Sequence, residues 1–198
     1  MLSQQEHNKI NIVIEAVSYI MALHDPYEDE ISGHGRRTAA LIEELAIELH
    51  IPVADIVELK YAAELHDIGK FAIPENILNK VGKLSVAGRD MLHTHPRHGA
   101  DVLRSMNIDA RIVETVYHHH ENWDGTGYPD GLQGNDIPYW SRILSVIDHY
   151  DAMTNERGYH DVLPVSKVLK IMRMETGRKT DPAIYEIFEK MIMGKTNE

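Results

Sequence analysis

His66-Asp67-Ile68-Gly69-Lys70, which follows the apolar residues Ile56, Val57, Leu59, Ala62, Ala63 and Leu65, decides how this chain reads. The apolar run has helical spacing and Pro52 stands where a helix would start, so the histidine and aspartate fall at a helix end, with Gly69 expected to mark the stop. Adjacent residues on a helix point about 100° apart. His66 and Asp67 therefore cannot both lie on one face as parallel side chains in the way an i,i+4 pair does. They can converge on two ions instead, the carboxylate bridging both and the imidazole closing on one. A His-Asp pair alone is also an ordinary polar helix end, so its meaning depends on what accompanies it.

Working outward, Ile10, Val13, Ile14, Val17, Ile20 and Met21 predict a first amphipathic helix ending near His24-Asp25-Pro26. Ala39, Leu41, Ile42, Leu45, Ala46 and Leu49 supply the buried stripe of a second. Downstream, Ser85 is placed to cap a helix running through Met91 and Leu92, and Pro96 breaks it beside His95. Ile108, Ile112, Val113 and Val116 carry the next helix into His118-His119-His120. From Glu121 to Pro138 the periodicity gives way to Gly125, Gly127, Pro129, Gly131, Gly134 and Pro138, a loop too long for a compact domain to keep without a role. Helices resume over Tyr139 to Thr154, Val165 to Thr176 and, after Asp181-Pro182, Ala183 to Met193. With no strand pattern, repeat or linker, the expectation is an all-α fold. It would be one domain over 1–198, made of an N-terminal helix (1–25) and a catalytic helical core (26–198).

The companions of His66 and Asp67 are His34, His95, His119, His120 and Asp148, each on a predicted helix or helix end. Neutral imidazoles and carboxylates together suit first-row divalent ions, and the reaction class such a cluster suggests is attack of a metal-activated hydroxide on a phosphate ester. Asp148 lies among Ile143, Leu144, Val146 and Ile147, where an unpartnered carboxylate would be costly. Asp151, one turn on, reads as a group that orients a ligand. Glu30 precedes His34 by four residues and shares its face if the helix begins early enough; otherwise it belongs to a solvated acidic loop. A helix end can aim only two of His118, His119 and His120 inward. Trp123 and Tyr128 either pack the loop down or offer a ring to a nucleobase.

Composition narrows the classes. The 198 residues are 43% hydrophobic, enough for a full core, and 31 acidic residues against 20 basic ones leave a formal charge of −11. That balance argues against a surface gripping long nucleic acid, while a small anion remains compatible because bound metal supplies local positive charge. The absence of cysteine excludes disulfides and thiolate zinc sites. No basic segment followed by an apolar stretch opens the chain, and no apolar run approaches roughly 18 residues. Neither export nor membrane insertion is expected, and the natural compartment is the cytoplasm.

Taken in order, Gly33-His34-x-x-Arg37, His66-Asp67-Ile68-Gly69-Lys70, His95-Pro96, His119-His120-Glu121-x-x-Asp124-Gly125-x-Gly127-Tyr128-Pro129, Ile137-Pro138 and Asp148-x-x-Asp151-Ala152 closely resemble the HD-GYP family of cyclic-dinucleotide phosphodiesterases, within the HD phosphohydrolase superfamily. The resemblance spans roughly Glu30 to Arg157. It implies a helical bundle with two or three divalent ions, iron or manganese, and hydrolysis of cyclic di-GMP to pGpG, in some members onward to GMP. Its metal ligands would be His34, His66, Asp67, His95, His119, His120 and Asp148, with Glu30 for a third ion. Lys70 and Arg157 would meet substrate phosphates, and the Gly127-Tyr128-Pro129 loop would shape the pocket and receive a signalling partner. A homodimer is a further expected assembly. Two other classes stay open: a cyclic-dinucleotide-binding protein with little turnover, and an HD phosphohydrolase acting on another nucleotide. Many relatives have Arg-Pro-Tyr-Arg or a lysine variant where this chain has Arg157-Gly158-Tyr159-His160. A largely neutral His160 there is expected to weaken the phosphate grip. No receiver or sensor domain is read in these residues.

Overall fold

The computed structural model describes residues 2–24, 31–80, 82–155 and 163–195. Helices α1 (Gln4–His24), α2 (Ile31–Glu48) and α3 (Val53–Leu65) lead into a 3-10 turn at Ile68–Ala72. Short α4 (Glu75–Leu78) and α5 (Val86–Leu92) follow, then α6 (His95–Ser105) and α7 (Ala110–His118). Beyond a long loop, which carries a 3-10 turn at Gly134–Asp136, come α8 (Tyr139–Thr154), α9 (Val165–Glu175) and α10 (Pro182–Lys195). Among the described residues there is no strand, only isolated bridges at Asp124–Gln133 and Thr176–Thr180. The all-α expectation holds.

Two apolar cores organise these helices. One gathers Ala39, Ile42 and Leu45 of α2, Leu59 and Ala63 of α3, and the inner faces of α8, α9 and α10 around Ile147 and Phe188. The other gathers Ile10 and Val13 of α1, Ala62 and Leu65 of α3, Ile68, and the inner faces of α6 and α7 around Leu103 and Ile112. Helix α3 belongs to both, which is why it is apolar around so much of its circumference. Fully burying a leucine contributes about 1.5–3 kcal/mol, so Leu59 in one core and Leu65 in the other hold α3 from opposite sides. The end of α3 is thereby fixed at the seam between the two cores.

Local chemistry sets the ends of several helices. The Ser85 side chain accepts the Gly88 N–H at the start of α5, and Asp109 accepts the Arg111 N–H at the start of α7. Pro96 occupies the first turn of α6, where its missing N–H costs nothing, so the predicted break becomes two separate helices. Helix α4 has no counterpart in the sequence reading; four residues are too few to show a period. Gly69 requires a correction. Helix α3 ends at Leu65 with His66 as its C-cap, and Gly69 lies inside the 3-10 turn. A Cβ at Gly69 would fall 1.9 Å from the His95 carbonyl oxygen and 2.4 Å from the Gly99 nitrogen, so the glycine permits contact with α6 instead of terminating a helix. No helix among the described residues is long and apolar enough to cross a membrane.

Candidate metal centre

Five helices deliver donors to the seam. His34 comes from α2, His66 and Asp67 from the end of α3, His95 from the first residue of α6, His119 and His120 from the end of α7, and Asp148 from α8. Asp67, His95, His119 and His120 form one group whose donor atoms all lie within 4.8 Å of one another, and His34, His66 and Asp67 form a second. Asp67 belongs to both groups. Its Oδ1 is 3.3 Å from His95 Nε2 and its Oδ2 is 3.4 Å from His66 Nε2, so its two oxygens face different groups. Asp148 Oδ1 stands beside the second group, 3.1 Å from His34 Nε2 and 3.9 Å from His66 Nε2.

Hydrogen bonds fix which nitrogen each imidazole presents. Nδ1 of His66, His95 and His119 lies 2.6, 2.8 and 2.6 Å from the carbonyl oxygens of Ala63, Leu92 and Val116. A carbonyl only accepts, so each Nδ1 carries a proton and each ring turns its Nε2 inward. These nitrogens then approach closely: Nε2 of His34 and His66 are 3.2 Å apart, and Nε2 of His95 and His119 are 3.4 Å apart. Lone pairs at that separation repel unless a positive charge lies between them. With carboxylate oxygens converging on the same points, the donor set fits divalent cations.

The protonation states of His66, His119, His120, Asp67 and Asp148 agree with that role. Burial pushes His66 down against the opposing charge of Asp67, while burial and neighbouring His120 push His119 far down. Burial also carries His120 down to about 3. Burial alone would raise the Asp67 carboxyl, yet Lys70 and His66 hold it well below the usual carboxylate range. Burial would likewise raise Asp148, yet the His34 hydrogen bond together with the charges of His66, His34 and His120 holds it well below the usual range. Burial would lower His34, but its hydrogen bonds to Asp148 and Asp151 raise it. Asp151 accepts from His34 Nδ1 at 2.6 Å and from the Arg37 fork at 2.9 and 3.1 Å, so it orients the ring and is itself charge-paired. Lys70 Nζ sits 2.5 Å from Asp67 Oδ2, which puts a positive point charge at the rim of the cluster.

The glycine-rich loop covers the end of α7. A Cβ at Gly127 would come within 2.2 Å of the Asn122 nitrogen and 2.5 Å of the His120 carbonyl oxygen, so only glycine allows this approach. The Tyr128 N–H donates to the His120 carbonyl, and the Tyr128 ring lies 4.9 Å from the His120 ring. Buried Glu121 accepts from the backbone N–H groups of Asp130, Gly131 and Leu132 at 2.7, 3.1 and 3.1 Å. Sequence reasoning gave Glu121 no such task; the available signal was a carboxylate at the entry of a loop rich in N–H groups without helical partners. His118 turns away from the cluster to Asp130, 3.1 Å from its Oδ2. The backbone N–H of Trp123 donates to the Lys179 carbonyl and pins the loop to the turn before α10. Glu30, Arg157 and His160 lie outside the described residues.

The HD domain family profile matches residues 16–184. A 3'3'-cGAMP-specific phosphodiesterase of Vibrio cholerae is 32% identical over 92% of this chain and 39% of its own length. A cyclic di-GMP phosphodiesterase of Pseudomonas aeruginosa is 37% identical over 80% of the chain and 38% of its own length. One from Thermotoga maritima is 31% identical over 91% and 50%. The chain thus spans between 38% and 50% of the length of these relatives. Among solved structures, an HDG"Y"P protein of Bdellovibrio bacteriovorus superposes with a TM-score of 0.69 at 23% identity, covering 93% of this chain and 60% of its own, a likeness of fold.

Proposed function

The chain belongs to the HD domain family, and on that premise we propose that it is a metal-dependent phosphodiesterase hydrolysing cyclic di-GMP to pGpG. The observation that carries the reading is Asp67, whose two oxygens face two separate donor groups, one on each side of the seam. His34, His66, Asp67 and Asp148 would hold one ion, and Asp67, His95, His119 and His120 the other. Iron or manganese suits this oxygen and nitrogen set. Divalent ions there would supply Lewis acidity toward a phosphoryl oxygen and an activated water.

The protein's own groups account for binding and positioning. Lys70, charged and held at the rim by Asp67, would receive a non-bridging phosphate oxygen. Asp151 and Arg37 keep the His34 ring from turning, and the carbonyls of Ala63, Leu92 and Val116 do the same for His66, His95 and His119. Preset geometry of this kind lowers the entropic part of the barrier. Tyr128 would form one wall of the substrate pocket. Arg157 and His160 are proposed as further phosphate contacts, and Glu30 as the ligand of a third ion.

A second reading has its own support. The 32% identity to a 3'3'-cGAMP-specific enzyme over nearly the whole chain favours a mixed purine dinucleotide as an alternative substrate. Incubating anaerobically prepared, metal-loaded protein with cyclic di-GMP, 3'3'-cGAMP and a mononucleotide, with products separated by chromatography, tests both. pGpG as the main product supports the first reading and faster turnover of the mixed dinucleotide the second. Phosphate release from the mononucleotide alone would replace both.

A further inference from the structure

His93 is outside the donor set, yet it is joined to the centre by rings. It caps α5 at its C-terminal end, two residues before His95, and its ring stacks on Tyr128 with centroids 3.9 Å apart and planes within 11°. Tyr128 in turn lies 4.9 Å from His120 at a 37° tilt. A row of rings therefore runs outward from the donor cluster, His120 to Tyr128 to His93. The near-parallel imidazole takes one whole face of Tyr128, and His120 occupies another side of it. Tyr128 thus offers a base less open surface than its place in the loop suggests, whereas His93 is exposed and ends the row.

We propose that the face of the His93 ring turned away from Tyr128 is a stacking platform for a nucleobase of the substrate. The inference rests on the cyclic-dinucleotide reading given above. A cyclic dinucleotide carries a purine on either side of each phosphate, so a diester seated at the donor cluster extends its bases outward toward flat side chains. Imidazole is such a surface. Its stack on Tyr128 already fixes the plane of the ring, so little side-chain freedom is lost when a base is added. The same stack ties the platform to the loop, and the sequence separation from His95 ties it to the cluster. His93 would thereby read the presence of a base and contribute nothing to the bond-breaking step.

The test compares two substrates in the metal-loaded enzyme: cyclic di-GMP and methyl p-nitrophenyl phosphate, a diester without sugar or base. Base stacking removed by alanine typically costs about 1–3 kcal/mol. His93→Ala and His93→Gln should therefore raise KM for cyclic di-GMP at least about fivefold with kcat within about twofold. His93→Phe should restore KM. All three variants should keep wild-type ion content and wild-type turnover of the base-free diester. An unchanged KM for cyclic di-GMP in His93→Ala and His93→Gln overturns the inference. So does an equal loss on both substrates, which would make His93 a prop for Tyr128. Wild-type protein that turns over the base-free diester but no cyclic dinucleotide would instead remove the proposed function, and this inference with it.

Discussion

The half of the donor cluster fed by α2 and α8 and the half fed by α6 and α7 are braced by different chemistry. In the first, His34 is held by a side-chain relay: its Nδ1 donates to Asp151, and Arg37 grips the same carboxylate. In the second, His95 and His119 donate to backbone carbonyls three residues earlier, and Gly69 and Gly127 let neighbouring backbone approach within contact distance. A side-chain relay can be cut by one substitution that leaves every helix where it is. A backbone brace yields only when a helix moves. His66 and Asp67, just past the end of the helix shared by both cores, connect the two modes.

The shared residue should give the largest effect. Asp67→Ala removes a donor from both groups at once, so both ions should be lost together and diesterase activity should fall by roughly a thousandfold or more, the scale of several kcal/mol of Lewis-acid stabilisation. Metal analysis after gel filtration, alongside the activity assay, reads both. Retention of a full ion in either half would break the picture of one carboxylate serving two groups.

Gly69→Ala attacks the backbone-braced half. The new Cβ would overlap the His95 carbonyl and the Gly99 nitrogen, both main-chain atoms that no rotamer change can move, so α6 and the turn carrying Gly69 must move apart. Overpacking of this kind costs about 1–3 kcal/mol, or a fall in Tm of roughly 3–10 °C for a chain of this size. Calorimetry should show that fall, and titration should show the ion held by His95, His119 and His120 weakened more than its neighbour. Equal weakening of both would mean that the halves are mechanically one unit.

This asymmetry also bears on how much was legible from sequence. The helices α2, α3, α7, α8 and α10 announced themselves because their apolar residues keep a helical period, and Ser85 and Pro96 announced the boundaries of α5 and α6 by local chemistry. The donor residues were legible as types on helices and at helix ends. What periodicity could not supply was distance in space. Gly69 read as a stop signal, since a helix end and a close backbone approach both ask for glycine and only the packing of α6 distinguishes them. Glu121 and His93 escaped for the same reason: the partners of Glu121 lie nine to eleven residues away in an aperiodic loop, and His93 meets Tyr128 across 35 positions.

Cutting the relay should do less than moving a helix. Asp151→Asn keeps an oxygen for the His34 Nδ1–H but removes the charge that Arg37 pairs with and that holds the imidazole in place. Loss of such an outer partner typically costs ten- to a hundredfold in metal affinity. Competition with a chelator should show that loss for one ion of the pair while the other keeps its affinity, and the melting curve should move little. Comparable losses at both ions would show that the relay braces the whole cluster through Asp148 and His66.

The smallest effect on the ions is expected at the loop. Glu121 presents two oxygens to three backbone N–H groups, a set of charge-assisted bonds that closes the loop without touching a donor. Glu121→Gln keeps one acceptor but turns an amide NH2 toward N–H groups that need an acceptor, leaving at least one of them unsatisfied and loosening the segment that carries Tyr128. Ion affinity should stay within about twofold, because His119 and His120 are fixed from the helix side. Turnover of cyclic di-GMP should nevertheless fall by roughly tenfold, the equivalent of about 1.4 kcal/mol, mainly through KM if the loop acts in binding. If the ions are lost together with turnover, the loop is part of the brace on the α7 side, and the contrast between a side-chain half and a backbone half must be redrawn to include Glu121.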